Sequence, residues 1–263
     1  MRRPPKNALT KINLFILDMD GTVHIGGRLF PFARTFFEEV KKAGKEYVFL
    51  TNNSSKSAVE YEIMLKNMGI ENPRVFTSGE ATALYIKENF PGKSTYILGT
   101  ESLRKTFQSM GIKVTEENPE VLVLGYDTSI TYEKIRKFAL FLRKGLPYIA
   151  THPDINCPSP EGLIPDAGSF ISLFEKSTGR TPDVIVGKPN PEMLYEIAKV
   201  FKLSTSEIAV IGDRLYTDME MAKRAGALPI LVLSGETSRE EAEKQPDIFF
   251  VENLGDIAKL LKR

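Results

Sequence analysis

The sequence predicts an α/β fold: a doubly wound, mostly parallel sheet that carries an inserted α/β domain. Three observations lead there. Short, nearly continuous apolar runs recur along the chain, as strands buried on both faces require. Segments of helical apolar periodicity separate them. Several runs end abruptly in carboxylate, hydroxyl or lysine side chains, and ligands in an open α/β sheet bind outside the carboxyl ends of the strands.

Taken in order, residues 12–17 are nearly all apolar and stop at Asp18, Met19, Asp20, Gly21 and Thr22. Residues 31–43 read as a helix that Gly44 ends. Tyr47 to Leu50 is a strand running into Thr51, Asn52, Asn53 and Ser54. Ala58, Tyr61, Leu65 and Met68 share a helical face that Gly69 closes, and a short strand follows at 75–77. The middle of the chain repeats the alternation. It has strands at 96–98, 121–124 and 148–150 and helices near 101–110 and 131–144, but its strand ends are poorer in charged chemistry. Residues 184–186 then lead as a strand into Gly187, Lys188, Pro189, Asn190 and Pro191. The next helix places Met193, Leu194, Ile197, Ala198 and Phe201 on one face, with Asn190 as N-cap and Pro191 at its first position. A strand at 208–211 ends in Gly212 and Asp213. A helix over 217–224, strands at 230–233 and 248–250, and a helix over 253–262 complete the chain.

Composition excludes several classes. Lys and Arg number 35 against 34 Asp and Glu, a net charge of +1. That balance argues against a nucleic-acid-binding surface. The single cysteine, Cys157, rules out an internal disulfide and a cysteine-rich metal cluster, and its proline-flanked setting reads as a polar loop. No segment approaches the ~20 apolar residues that cross a bilayer, and the first residues lack the apolar run of a signal peptide. The expectation is a cytoplasmic protein without a membrane partner. Oligomeric state is not legible.

Four predicted strand ends carry complementary groups: Asp18 and Asp20, Thr51, Lys188, and Asp213 with Asp218. Crowded carboxylates repel, by ~1 kcal/mol per pair at 4 Å even in water, and so call for a cation. All-oxygen ligands select a hard ion such as Mg²⁺. With a fixed lysine and a hydroxyl donor, the set suits phosphoryl transfer, which depends on positioning and charge neutralisation. Asp18 is the natural nucleophile. Asp20, two residues on, is placed to protonate the leaving oxygen and then to deprotonate water.

These residues carry a resemblance. Asp18-Met19-Asp20-Gly21-Thr22-Val23 resembles the first motif of the haloacid dehalogenase (HAD) superfamily. Thr51-Asn52-Asn53-Ser54 resembles the second, Lys188 within Val186-Gly187-Lys188-Pro189 the third, and Gly212 to Asp218 the fourth. Together they are similar to the NagD/p-nitrophenylphosphatase-like branch, subclass IIA. The resemblance implies a Rossmann-like core with Asp18 as nucleophile and Asp20 as general acid and base. It implies Mg²⁺ held by the Asp18 carboxylate, the Asp20 main-chain carbonyl and Asp213, with Asp218 behind them. It also implies phosphoryl oxygens held by Gly21, Thr51, Asn52 and Lys188. The superfamily inserts its cap domain at one of two places. Little chain is spare between Asp20 and Thr51, whereas about 100 residues are spare between Thr51 and Lys188. The expected division is therefore a core of 1–78 and 184–263 and an α/β cap of the second type at 79–183.

The implied function is a Mg²⁺-dependent phosphatase of small phosphate monoesters, with a small phosphorylated molecule as its partner. Specificity is expected from cap loops around His152 and Asp154 and around Asp166. His24 is expected near the pocket rim and Arg214 beside Asp213. Two other readings remain. A phospho-accepting receiver module also sets Asp, Thr and Lys at strand ends, but in about half this length and without an acid such as Asp20 beside the acceptor. A non-catalytic HAD scaffold would bind a phosphorylated ligand without turning it over.

Overall fold

The computed structural model describes residues 2–159 and 161–262. Helix α1 (Lys6–Thr10) leads into β1 (Leu14–Leu17), whose four side chains are all buried. Burial on both faces explains the lack of alternation, and each such side chain contributes roughly 2 kcal/mol. After Gly21 a small hairpin forms from β2 (His24–Ile25) and β3 (Arg28–Leu29). It turns at Gly26 and Gly27, both with positive φ, where only glycine fits without cost. Helix α2 (Pro31–Lys42) has Pro31 in its first turn, where the missing N–H is harmless. Next come β4 (Glu46–Thr51), α3 (Ala58–Asn67) and β5 (Val75–Thr77).

The alternation continues through α4 (Ser78–Asn89), β6 (Thr95–Leu98), α5 (Glu101–Ser109), β7 (Val121–Leu124), α6 (Tyr132–Leu142) and β8 (Tyr148–Ala150). Thr77, Thr100 and Thr131 cap the three helices, each hydroxyl accepting the main-chain N–H three residues on. A second hairpin, β9 (Asn156–Ser159) and β10 (Gly162–Pro165), holds Cys157 opposite Ile164. Cys157 is therefore on a strand and not in the expected polar loop. Its proline neighbours concealed this, since a two-stranded hairpin tolerates Pro158 on an edge.

Helix α7 (Ala167–Thr178) and β11 (Val184–Ile185) precede α8 (Glu192–Phe201). Pro191, not Asn190, is the cap of α8: it is already in helical geometry, so the helix begins one residue later. Asn190 Oδ1 instead accepts from Arg224 Nη1 at 3.3 Å. Strand β12 (Ile208–Gly212) leads into a π-helical turn (Leu215–Met219) and then α9 (Glu220–Ala225). The chain ends with β13 (Leu228–Val232), α10 (Arg239–Glu243), β14 (Phe249–Val251) and α11 (Leu254–Leu261).

The chain packs as two compact units. The first comprises Met1–Thr51, Tyr61–Phe76 and Pro189–Arg263. Its six-stranded sheet runs β14-β13-β12-β1-β4-β5. Strand β1 lies between β12 and β4 and is parallel to both, with Leu17 level with Ile211 and with Phe49. That register brings Asp18, Thr51 and Asp213 to the same end of three adjacent strands.

The second unit comprises Asn52–Glu60 and Thr77–Lys188. Its four-stranded sheet runs β11-β8-β7-β6, parallel throughout. Phe138 packs between Tyr148 and Phe174 in its core, with ring centroids 5.4 and 4.8 Å away. Strand β11, expected to run with the C-terminal strands, pairs with β8 here, Val184 level with Ile149. Among the described residues no helix is long and apolar enough to cross a membrane.

Candidate active site

The carboxyl end of the first sheet gathers three carboxylates. Asp18 directly follows β1, and its N–H continues the ladder to Ile211 O at 2.9 Å. Asp213 follows β12 and is buried, as is Asp218 in the π-helical turn. Each offers an oxygen within 4.8 Å of the others. Glycines make this crowding feasible. A Cβ on Gly21 or Gly235 would fall inside the Asp213 carboxylate, and one on Gly212 inside that of Asp218. Gly21 also has φ +76°, and its N–H is taken by His24 O at 2.8 Å.

Asp213 is held from the loop after β13. Its Oδ2 accepts Glu236 N–H at 2.8 Å, and its main-chain carbonyl accepts the Thr237 hydroxyl at 2.6 Å. Ser234 Oγ donates to Gly21 O at 2.7 Å, tying the same loop to the first motif. Sequence reading passed over this Ser234–Thr237 loop. The available signal was a further strand ending in polar residues beside a glycine. Arg214, expected beside Asp213, lies 3.0 Å from Glu236 Oε2 through Nε. Burial opposes its charge, but Asp18, Asp213 and Glu236 outweigh burial and raise its pKa.

Two of the three carboxylates, Asp213 and Asp218, are buried. The donor set is all oxygen and its three carboxylates offer oxygens within 4.8 Å of one another, so it fits a hard divalent cation. Thr51 ends β4 on the strand adjacent to Asp18 and is half-buried. The Asp20 side chain is 74% exposed and open to solvent. His24, by contrast, is buried, with Nδ1 3.3 Å from Asp20 Oδ1, within ion-pair distance but not aligned for a hydrogen bond.

Lys188 does not stand at a strand end of the six-stranded sheet. It follows β11 of the second unit, where Val186 N–H and Gly187 N–H bond to Ala150 O and Thr151 O and draw the segment along β8. Asn52 belongs to the same unit. Its side chain bonds both main-chain groups of Lys188 at 2.9 Å and reaches Asp154.

The two loops expected to meet substrate are fastened together. Asp166 N–H bonds to Ile155 O, and Gly168 N–H to Asp154 O. His152, fully buried, bonds Asp166 through Nε2 at 2.9 Å and faces Thr151 Oγ1 through Nδ1 at 2.9 Å. Ligand-capable atoms of His152, Asp154 and Asp166 lie within 4.8 Å of one another, and these hydrogen bonds account for the clustering. A separate groove of about 650 Å³ lies at the amino end of β4 between Arg34, Phe37, Tyr47 and Arg74. It mixes charges of both signs and presents no convergent chemistry.

Comparison with known proteins gives the family. The family model for haloacid dehalogenase-like hydrolases matches residues 15–113, and an HAD-hydrolase-like model matches 185–257. An acid sugar phosphatase of Staphylococcus aureus is 32% identical over 254 residues, covering 94% of this chain and 98% of its own. The 5'-nucleotidase YutF of Bacillus subtilis is 35% identical over 228 residues, covering 86% and 89%. The crystal structure of a 4-nitrophenylphosphatase from Thermotoga maritima superposes with a TM-score of 0.91 at 48% identity, covering 96% and 98%. Motifs, fold and relatives agree, and the chain belongs to the haloacid dehalogenase-like hydrolases, in the NagD/p-nitrophenylphosphatase-like branch, as a phosphoric monoester hydrolase.

Proposed function

We propose that the protein is a Mg²⁺-dependent phosphatase of small phosphate monoesters that works through an aspartyl-phosphate on Asp18. Sugar phosphates, nucleoside monophosphates and p-nitrophenyl phosphate are the substrate class. The observation that carries the reading is the carboxylate trio formed by Asp18 and Asp213 at adjoining strand ends and Asp218 in the turn that follows. Phosphatases of this family generally use a divalent metal. Here the Asp18 carboxylate, the Asp20 main-chain carbonyl and Asp213 would hold it, with Asp218 supporting Asp213. When bound, the ion supplies charge neutralisation at the phosphoryl oxygens.

In this reading an Asp18 oxygen attacks phosphorus in line with the ester oxygen. The P–O bond to the alcohol breaks as Asp20, accessible from solvent, gives that oxygen its proton. Asp20 then takes a proton from water, whose oxygen attacks the phosphorus and releases inorganic phosphate and the Asp18 carboxylate. Thr51 donates its hydroxyl, and Lys188 its positive charge, to the phosphoryl group. Gly21 contributes chiefly by having no side chain against Asp213. The insert expected at 79–183 selects the alcohol part of the substrate. A cytoplasmic location belongs to the same proposal.

Phosphate release from p-nitrophenyl phosphate tests this. Asp18→Asn should abolish turnover, and EDTA should do so reversibly, with Mg²⁺ restoring it. Turnover retained by Asp18→Asn overturns the mechanism. Turnover retained in EDTA overturns the metal requirement. Acid quenching of Asp20→Asn with labelled substrate should trap phosphate on the protein.

A further inference from the structure

Asn52 and Lys188 are 136 residues apart and lie in the same unit. The Asn52 amide spends both its groups on the main chain of Lys188: Oδ1 accepts Lys188 N–H at 2.9 Å, and Nδ2 donates to Lys188 O at 2.9 Å. The second Nδ2 proton faces Asp154, whose two carboxylate oxygens are each 3.2 Å away. The main-chain carbonyl of Asn52 accepts the Ser78 hydroxyl, and Ser78 Oγ lies 3.3 Å from His152 Nδ1. Asn52 is 6% exposed and Lys188 4%. Gly187 seals the contact, since a Cβ there would collide with Asn52 Oδ1, Thr151 O and His152 Cβ.

An amide is suited to this place because it offers an acceptor and two donors on one planar head. An aspartate would lack the donors and would face Asp154 with like charge. An alanine would leave Lys188 N–H and O buried without that partner, at a cost of about 1–3 kcal/mol for each group. Both Nδ2 protons and one Oδ1 lone pair are already committed, which leaves the side chain little with which to hold a substrate oxygen.

We propose that Asn52 is a positioning residue, not a phosphoryl ligand. Its amide fixes the main chain of Lys188 and the carboxylate of Asp154 in one register. The cation that serves the phosphoryl group and the candidate specificity carboxylate are thereby set as a single piece. This rests on the proposed role of Lys188 in phosphoryl binding.

A double-mutant cycle on kcat/KM for p-nitrophenyl phosphate tests it. Asn52→Ala should lower kcat/KM on the order of 10²-fold, the effect of moving a catalytic group by about 1 Å. In a Lys188→Ala background the same substitution should cost less than about threefold, because nothing remains to be positioned. An equal loss in both backgrounds overturns the proposal and places the Asn52 side chain on the substrate. Wild-type kcat/KM in Lys188→Ala alone instead overturns the role of Lys188, so the two failures are distinguishable. If Asn52→Ala does not fold, as judged by thermal unfolding, the same cycle with Asn52→Ser decides. A cycle of Asn52→Ala with Asp154→Ala should be non-additive in the same sense, and additivity there removes Asp154 from the assembly.

Discussion

His152 Nε2 stands 2.9 Å from Asp166 Oδ1, with His152 wholly inaccessible to solvent and Asp166 nearly so. The same Asp166 oxygen accepts Ala167 N–H and caps α7. One hydrogen bond thus joins the chain leaving β8 to the head of a helix, and the 151–155 and 166–169 stretches close on each other around it.

Removing Asp166 leaves His152 Nε2 buried without this partner, whereas removing His152 leaves Asp166 Oδ1 still accepting Ala167 N–H. Asp166→Ala loses the cap as well, so its cost in urea unfolding is expected at about 2–4 kcal/mol, with His152→Ala somewhat less. Asp166→Asn keeps the size and an acceptor and should cost less than Asp166→Ala. Equal stability of wild type and Asp166→Ala would show that the clasp contributes nothing.

Gly235→Ala is expected to reduce kcat/KM sharply while the fold persists. The new methyl group would occupy the volume of the Asp213 carboxylate, and Asp213 is held there by Glu236 N–H. A higher Mg²⁺ concentration for half-maximal activity should accompany the loss, by about tenfold or more. Titrating activity against Mg²⁺ for both proteins checks this, and coincident curves would place Gly235 outside the site.

The first unit's chemistry was legible because buried parallel strands have a plain signature and their ends abruptly change character. Asp18, Thr51 and Asp213 could be aligned by that alone. Lys188 could not: β11 is two residues long, and only the Asn52 amide and the β8 carbonyls show to which sheet it belongs. The clasp was also hidden. A histidine after a strand and an aspartate before a helix each have local explanations, and their meeting is a product of tertiary packing. The loop holding Asp213 was missed because Ser234, Gly235, Glu236 and Thr237 read as an ordinary turn.

Tyr148 presents the opposite case. Its hydroxyl is buried between Phe138 and its neighbours with no hydrogen-bond partner among the described residues, and burial raises its pKa. Tyr148→Phe removes that unsatisfied group without changing the ring. Chemical denaturation should show the variant equal to wild type or more stable, by up to about 2 kcal/mol. A clear loss would reveal a partner for the hydroxyl.

Glu120 should make the second unit sensitive to acid. Lys93, at 2.7 Å, and Ser94 N–H, at 3.0 Å, hold its carboxyl down to about 2 from the ordinary 4.5. A depressed folded-state pKa means stability present above 4.5 and lost as pH falls towards about 2. The group is exposed, so salt screens the effect. Thermal midpoints of wild type and Glu120→Gln should differ at pH 6, converge below pH 4.5, and coincide near pH 2. A difference that does not vary with pH would exclude the pair as its source.

The pairing of β1 with β12 at the centre of the first sheet has a consequence for synthesis. Leu14 meets Ile208, so Asp18 and Asp213 become neighbours only once the chain through β12 has left the ribosome. Residues 77–188 emerge earlier and contain nearly all of the second unit. The nascent chain can order that unit while the first sheet still lacks three of its six strands. A chain stopped short of β12 would have no assembled carboxylate trio.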